Sequence, residues 1–199
     1  RYSTKIEYGS FGSRELVIGD PDKAEYLVTA HYDTCAWMPL PNLVTPFHPL
    51  LFLLYQLILT AGMLAMAIVP GLIVFLLSQE PVLSYYVGFI GYWLVLILLI
   101  AGPANPHTAN DNTSGVVTVL EIMATLPDSY RGKVCFVLFD LEEAGLVGSA
   151  SYRKAHKQAT DRQIVLNLDC VGEGDHLMLF PSKKVKKDES KMQILQKCV

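Results

Sequence analysis

Positive charge is missing from a long central part of this sequence, since no Lys or Arg occurs between Lys23 and Arg131. The 199 residues carry 16 Lys and Arg against 19 Asp and Glu, which gives a net charge of -3 and an isoelectric point near 5.9. Domains that bind nucleic acid show a basic patch or stripe, and this composition supplies none. We therefore predict no nucleic-acid partner.

Paired cysteines are also lacking. The sequence has four cysteines, and none of them lies in a C-x-x-C pair. Unpaired thiols of this kind favour a reducing compartment. Thr34, Cys35 and Ser114 are possible nucleophiles by residue type, but no histidine is placed to complete a triad with them, so covalent catalysis is not expected.

Charge of either sign is nearly absent between residues 43 and 102, where Glu80 is the only charged residue. Two apolar runs, 50–77 and 82–101, lie in this stretch on either side of the turn sequence "SQEP". About 20 mostly apolar residues are enough to span a bilayer. We predict that 43–102 is an inserted transmembrane helical hairpin, which contacts the lipid bilayer through residues 50–101 and makes this a multi-pass membrane protein.

Several details of the hairpin follow from its sequence. Pro70 and Gly71 are expected to kink the first helix, and small residues such as Gly88 are expected to let the helices approach closely. No Lys or Arg lies near the span ends, so the positive-inside rule gives no orientation. The unpaired cysteines favour a cytoplasmic position for the rest of the chain. The alternative is a buried hairpin, or a hydrophobic lid, in a soluble protein.

Outside the insert, short apolar runs alternate with helical patterns, which is typical of an α/β fold. The predicted strands are "TKIEY" and "RELVIG", joined by the turn "GSFGS", and then "EYLVTA", "KVCFVLFD", "RQIVLNLDC" and "HLMLF". The predicted helices are "NDNTSGVVTVLEIMATL" and "GLVGSASYRKAHKQ", whereas "KKVKKDES" is expected to be a solvated loop. We expect a three-layer α/β/α sandwich with a mostly parallel mixed sheet, interrupted by the α-helical hairpin. Residues 1–42 and 103–199 would form its one domain, incomplete at the C-terminus.

One imidazole and five carboxylates fall at the ends of these elements. They are His31, Asp33, Asp111, Glu142, Glu143 and Asp169. Carboxylates that converge repel one another, and a bound cation removes that cost. An imidazole with several carboxylates suits zinc or a similar divalent ion, and a shared carboxylate suits a two-metal site.

The motifs "HYDT", "NDNTSGV", "DLEEAGLVGS" and "LNLDC" resemble, in order, the metal-site motifs of the co-catalytic di-zinc aminopeptidase family. This family includes bacterial leucyl aminopeptidases, aminopeptidase Y, glutamate carboxypeptidases and, more distantly, glutaminyl cyclases. The resemblance covers residues 1–35 and 106–180, with 43–102 in place of a short connection. It implies the zinc-exopeptidase version of the α/β fold.

The resemblance also implies two zinc ions in the full-length protein. His31 and Asp169 would bind one ion, Asp111 would bridge both, and Glu143 would bind the second. The family uses a further histidine on the second zinc, which we expect beyond residue 199. The other histidines of the chain lack the family's position, although His107 is close enough in sequence to Asp111 to approach the site.

Two catalytic residues are implied in the same way. Glu142 would be the general base, and Asp33 would accept the second imidazole N–H of His31 and fix its tautomer. The resemblance further implies a cis peptide bond between Asp111 and Asn112.

The favoured hypothesis is a membrane-anchored zinc exopeptidase, an aminopeptidase that hydrolyses N-terminal residues from peptide substrates through a water activated by two zinc ions. Carboxypeptidase or glutaminyl-cyclase-like activity on the same fold remains an alternative. A second alternative is a non-catalytic membrane protein that retains the peptidase fold. The sequence sets neither the side-chain preference nor the oligomeric state.

Overall fold

The computed structural model of the chain describes residues 2–37, 49–175 and 177–197. The chain divides into two units, one made of Arg1–Met38 with Leu96–Gly172 and the other of Pro39–Val95 with Glu173–Val199. In chain order the elements are β1 (Thr4–Tyr8), β2 (Arg14–Ile18), β3 (Tyr26–His31), α1 (Pro49–Ser78), α2 (Pro81–Ala101), α3 (Gly115–Thr125), β4 (Val134–Phe139), α4 (Val147–Ala155), α5 (Lys157–Thr160), β5 (Ile164–Asn167), α6 (Lys183–Lys186) and α7 (Glu189–Lys197).

The five strands form one mixed sheet in the order β1-β2-β4-β3-β5. β1 pairs with β2, and β2 with β4, in antiparallel fashion, whereas β4 with β3, and β3 with β5, are parallel pairs. Among the described strands β2 alone is therefore reversed, which agrees with the predicted sheet. The hairpin of β1 and β2 forms around the predicted turn, with Thr4 opposite Ile18 and Tyr8 opposite Arg14.

β4 is the centre of the core, because every residue from Val134 to Phe139 is buried. Successive side chains of a strand point to opposite faces of the sheet, so β4 contributes to two apolar clusters. Val137 packs in one cluster with Tyr152 of α4, and Phe136 packs in the other with Val119 of α3. Helices therefore cover both faces of the sheet, and the predicted α/β fold is confirmed.

Glu7 of the edge strand β1 contacts His156 at the C-terminal end of α4 and Lys5 within β1 itself. Glu7 Oε2 lies 2.7 Å from His156 Nε2, and Glu7 Oε1 lies 2.6 Å from Lys5 Nζ. Partial burial raises the pKa of Glu7, but the hydrogen bonds from Lys5 and His156 outweigh it and leave that pKa below its ordinary value. The ionised carboxylate is therefore the form that stabilises the fold.

We expect Glu7→Gln to lower the free energy of unfolding by about 1 kcal/mol at pH 7, because it removes these charged contacts. The folded-state pKa of Glu7 is lowered, so its contribution is present above the ordinary value of 4.5 and is lost as pH falls through the folded value. Thermal unfolding at neutral pH and in acid measures the difference. Glu121→Gln, an exposed carboxylate of α3 with no ion pair to a described residue, is the matched control. Equal midpoints at pH 7 for the parent and Glu7→Gln would contradict this interpretation.

The chain leaves the first unit and returns to it through two paired segments. Ala36 forms an antiparallel bridge with Ala104, and Trp37 N donates to Pro103 O at 2.7 Å. The two ends of the intervening segment are thus held side by side within the first unit.

The two long apolar helices have the length and composition of membrane spans. Leu53–Ser78 has a mean hydropathy of 2.4 and Pro81–Ala101 has a mean hydropathy of 2.1, and almost none of their described side chains is buried. Gln79 adopts a left-handed φ of 56° between them, at the turn predicted from "SQEP". The predicted helical hairpin is therefore present in the fold.

α1 and α2 approach closely at two glycines and a serine. Ser84 Oγ donates to Gly71 O at 2.6 Å, and a Cβ placed on Gly71 would lie 3.1 Å from Gly88 N. Gly88 is thus at the helix contact, as its small size predicts. α1 continues through Pro70 and Gly71 as one helix, so the expected kink does not interrupt it.

Two local predictions near the C-terminus are wrong. A strand was predicted for "HLMLF", but residues 177–180 form no strand and pair with none of the five strands of the sheet. His176 lies outside the described residues. The Lys-rich segment is helical in part, since it forms α6 and the start of α7. Ser182 Oγ accepts a hydrogen bond from Val185 N at 3.3 Å and caps α6, a local signal that the charge pattern concealed.

Candidate metal centre

The predicted site residues meet at one edge of the sheet. The parallel strands β4, β3 and β5 all end there, and the carboxyl ends of such strands are where α/β folds place ligands. The middle strand, β3, ends at His31, whereas β4 is followed by Glu142 and Glu143, and β5 by Asp169. Asp111 lies in the turn before α3, the helix that packs against β3.

His31 lies at the centre of this cluster and is buried, with 3% of its surface exposed. Its Nε2 atom lies 3.2 Å from Asp111 Oδ1 and 3.6 Å from Asp169 Oδ1. The same atom lies 4.0 Å from Glu142 Oε2. Three chain segments, distant in sequence, therefore direct carboxylates at one ring nitrogen.

Asp33 contacts the opposite side of the imidazole. His31 Nδ1 lies 3.2 Å from the main-chain O of Asp33 and 3.5 Å from its carboxylate Oδ1. The other carboxylate oxygen, Oδ2, accepts a hydrogen bond from Glu143 N at 3.1 Å. Asp33 thus connects the histidine at the end of β3 to the backbone of the loop after β4.

Two groups of potential ligand atoms occur here, and His31 belongs to both. One joins His31 to Asp111 and Asp169, and the other joins it to Glu142 and Glu143, with all atoms of a group within 4.8 Å of one another. Glu143 Oε1 is buried and has no hydrogen-bond partner among the described residues. A cation satisfies such an oxygen, so the donor set fits a divalent metal ion.

The charges of the cluster shift the ionisation of its members. Burial lowers the pKa of His31, but hydrogen bonds to Asp111, Asp169 and Asp33 outweigh it and raise that pKa to about 12. Burial and the nearby charges of Asp111 and Glu142 raise the pKa of Glu143 to about 7. The site therefore carries an excess of negative charge that favours a cation.

The other histidines do not join these groups in the described part of the chain. His107 is exposed, and the side chain of His156 contacts Glu7 of the edge strand β1. His107 belongs to neither group of potential ligand atoms. His48 and His176 lie outside the described residues.

The turn around Asp111 contains contacts that sequence reasoning did not find. The side chains of Asn110, Asn112 and Ser114 accept hydrogen bonds from the main chain that follows β5. Every residue of "NDNTS" is polar, so the sequence offers no signal that singles out these three. The Asp111–Asn112 peptide bond is cis, as the resemblance implied.

The parallel strands of the mixed sheet and the turn before α3 thus bring one imidazole and several carboxylates together at one edge, in groups that could hold a metal ion. Residues 94–198, just over half of the chain, match the family model described as peptidase family M28, and the chain belongs to that family. It is accordingly a zinc-dependent exopeptidase in general terms. The searches of curated proteins and of solved structures found no match. The matched range includes Asp111 and Asp169 but not His31, which the sheet brings to them.

Proposed function

We propose that this M28 peptidase is an aminopeptidase that is anchored in the membrane through α1 and α2. The observation that supports a peptidase site most directly is the convergence on His31 Nε2 of carboxylates from three separate segments. The separate roles of metal ligand, general base and orienting residue rest on that geometry and on the order of the motifs.

The proposed zinc ligands are drawn from both groups of potential ligand atoms, and their division between two ions follows the family resemblance. His31 and Asp169 would hold one ion and Asp111 would bridge it to a second, which Glu143 would bind. Bound zinc polarises the scissile carbonyl and acidifies the attacking water. The buried and unpartnered Oε1 of Glu143 supports its role as a ligand.

Glu142 is the proposed general base. Burial raises its pKa, and the surrounding carboxylates raise it further against the opposing effect of His31. A carboxylate with a raised pKa can take a proton from water near neutral pH and return it to the leaving amine. The backbone N–H of the adjacent Glu143 donates to Asp33 Oδ2. This contact uses neither glutamate side chain, so Glu142 can face the water while Glu143 faces the ion.

Asp33 is proposed to orient the metal ligands rather than to bind metal. It accepts from Glu143 N and contacts His31 Nδ1, and such partners of a metal-bound imidazole set its tautomer and ring orientation. The Asp33 side chain would thereby hold His31, at the end of β3, and Glu143, in the loop after β4, at a fixed distance from each other.

The charge of the site supports an aminopeptidase over a carboxypeptidase. A carboxypeptidase must recognise a terminal carboxylate, for which Arg and Lys are the usual partners. Among the described residues, the ion pairs of the cluster carboxylates are all with His31. A surplus of carboxylates instead complements the cationic α-amino group of a peptide.

We expect the zinc-loaded protein to release the first residue from a peptide with a free N-terminus, and to leave the N-acetylated form of the same peptide intact. C-terminal amidation should change the rate little, because the proposed contacts are with the other end. Mass spectrometry of the three matched peptides measures this, with a zinc chelator as the negative control.

Other patterns would overturn the proposal. Cleavage of the acetylated but not the amidated peptide would indicate a carboxypeptidase. Loss of ammonia from an N-terminal Gln peptide, without hydrolysis, would indicate cyclase chemistry. No turnover with zinc bound would indicate a non-catalytic protein.

The membrane part of the proposal rests on α1 and α2. Both are long and apolar enough to cross a bilayer, and almost none of their described side chains is buried. The bridge between Ala36 and Ala104 holds the two ends of the insertion together in the first unit, as a hairpin with both ends on one side requires.

A further inference from the structure

The side chains of every second residue from 110 to 114 accept hydrogen bonds from the three consecutive backbone N–H groups that follow Asp169. Asn112 Oδ1 accepts from Cys170 N at 3.2 Å, Ser114 Oγ from Val171 N at 3.1 Å, and Asn110 Oδ1 from Gly172 N at 2.9 Å. We call Asn110, Asn112 and Ser114 the polar clamp.

The clamp also binds the chain before Asp169. Asn112 Nδ2 donates to Leu168 O at 2.9 Å, while its Oδ1 accepts from Gly115 N at 3.1 Å as well as from Cys170 N. Asn112 is 2% exposed, so these contacts replace water rather than compete with it. The main chain is therefore fixed on both sides of the Asp169 side chain.

The last sheet contact of this backbone is at Leu168, whose N–H donates to Thr29 O of β3 at 2.8 Å, and among the described residues no strand pairs with the chain after it. β5 ends at Asn167, and Cys170 turns the chain with a left-handed φ of 52°. Close approach to the clamp requires a small residue opposite it, because a Cβ placed on Gly172 would lie 2.6 Å from Ser114 Cβ. The fit between the two segments is thus specific to these residues.

Asp111 lies within the clamp segment itself. The stretch that supplies one carboxylate to His31 Nε2 at 3.2 Å therefore also holds the loop that supplies another, from Asp169, at 3.6 Å. A displacement of either segment would change the separation of the two carboxylates.

We propose that the polar clamp is a set of positioning residues that preorganises Asp111 and Asp169 for metal binding. This inference rests on the proposed ligand roles of those two residues. Outer partners of metal ligands commonly contribute a factor of about 10–100 in metal affinity. The clamp would do so through the backbone, without touching the ion.

The test is the zinc affinity of clamp variants of the full chain, measured by competition with a chromophoric chelator. Asn110→Ala is expected to weaken zinc binding by about 10–100-fold. Asn110→Asp is expected to retain parental affinity, because its carboxylate oxygen still accepts from Gly172 N. Asn110 is partly exposed, so neither change opens a cavity in the core.

Two further variants probe the buried part of the clamp. Asn112→Asp keeps the acceptor oxygen and loses the donor to Leu168 O, and we expect it to weaken zinc binding as well. Thr125→Ala is the matched control, since Thr125 Oγ1 donates to Glu121 O at 2.8 Å at the far end of α3 and touches no part of the loop. Thermal unfolding of the metal-free proteins shows whether folding is affected.

The outcomes separate this inference from the ligand assignment. Parental zinc affinity in Asn110→Ala would overturn the positioning role, and so would a loss that Asn110→Asp fails to restore. A fall in the metal-free unfolding midpoint that accounts for the whole loss would also overturn it. Asp169→Ala tests the ligand assignment by itself, because undiminished zinc affinity in that variant would contradict the proposed function.

Discussion

Glu142→Gln is expected to reduce peptide hydrolysis by about 10²–10⁴-fold, the usual contribution of a general base, and to leave bound zinc nearly unchanged. Glutamine has nearly the same shape as glutamate but cannot accept a proton at neutral pH. Glu142 Oε2 is the most distant of the carboxylate oxygens that contact His31 Nε2, at 4.0 Å, which suits a residue beside the ion rather than on it. Turnover of a free-N-terminal peptide and zinc content by atomic absorption are the two measurements.

Asp111→Ala is the contrasting variant, because Asp111 Oδ1 makes the shortest carboxylate contact with His31 Nε2, at 3.2 Å. We expect it to lose both zinc and activity. Equal zinc loss in Glu142→Gln and Asp111→Ala would show that the two carboxylates do not divide the roles of base and ligand. Full activity in Glu142→Gln would exclude it as the base.

The strand ends of the site could be predicted because each strand has a local signature. Between its two charged ends, Lys133 and Asp140, the run "KVCFVLFD" is apolar, and the structure buries all of Val134–Phe139 between β2 and β3. Parallel strands bring their carboxyl ends to one edge, so the residues after β3, β4 and β5 had to be neighbours. The four motifs occur in the same order as in the di-zinc aminopeptidase family, which is why the resemblance could be recognised.

The arrangement around His31 could not be predicted in the same way. The sequence suggests that Asp33 acts through its carboxylate, but His31 Nδ1 is closer to the main-chain O of Asp33 than to the carboxylate. The hydrogen bond from Glu143 N to Asp33 spans 110 residues. Contacts of this kind depend on tertiary packing, which has no periodic signal in the sequence.

The polar clamp shows a second reason for such failures. Asn112 and Ser114 have ordinary local explanations at the start of a helix, since both residue types favour that position. Local contacts of this kind are present, since Asn112 Oδ1 accepts from Gly115 N and Ser114 Oγ donates to Asn110 O. The same two side chains also bind Cys170 N and Val171 N, more than fifty residues later. A local explanation that suffices can therefore hide a long-range role.

The native protein is expected to remain with membranes after washing in alkaline carbonate, because α1 and α2 would be held by the bilayer as a hairpin. Each helix offers at least 20 mostly apolar residues, which matches the thickness of the hydrocarbon core. Carbonate strips proteins held by charge or by a partner but leaves membrane-spanning segments in the pellet. Immunoblotting of pellet and supernatant measures the partition.

A variant with 43–102 replaced by a short Gly/Ser linker is the matched control, and we expect it to move almost completely to the supernatant with its zinc retained. A short linker suffices because Ala36 and Ala104 are already paired, so the new loop joins two chain segments that a single bridge holds side by side. Zinc retention is expected because His31, Asp111 and Asp169 all lie outside the replaced segment. A native protein that is soluble and monomeric without detergent would show that the hairpin folds against the rest of the protein, and the membrane anchor would then be wrong.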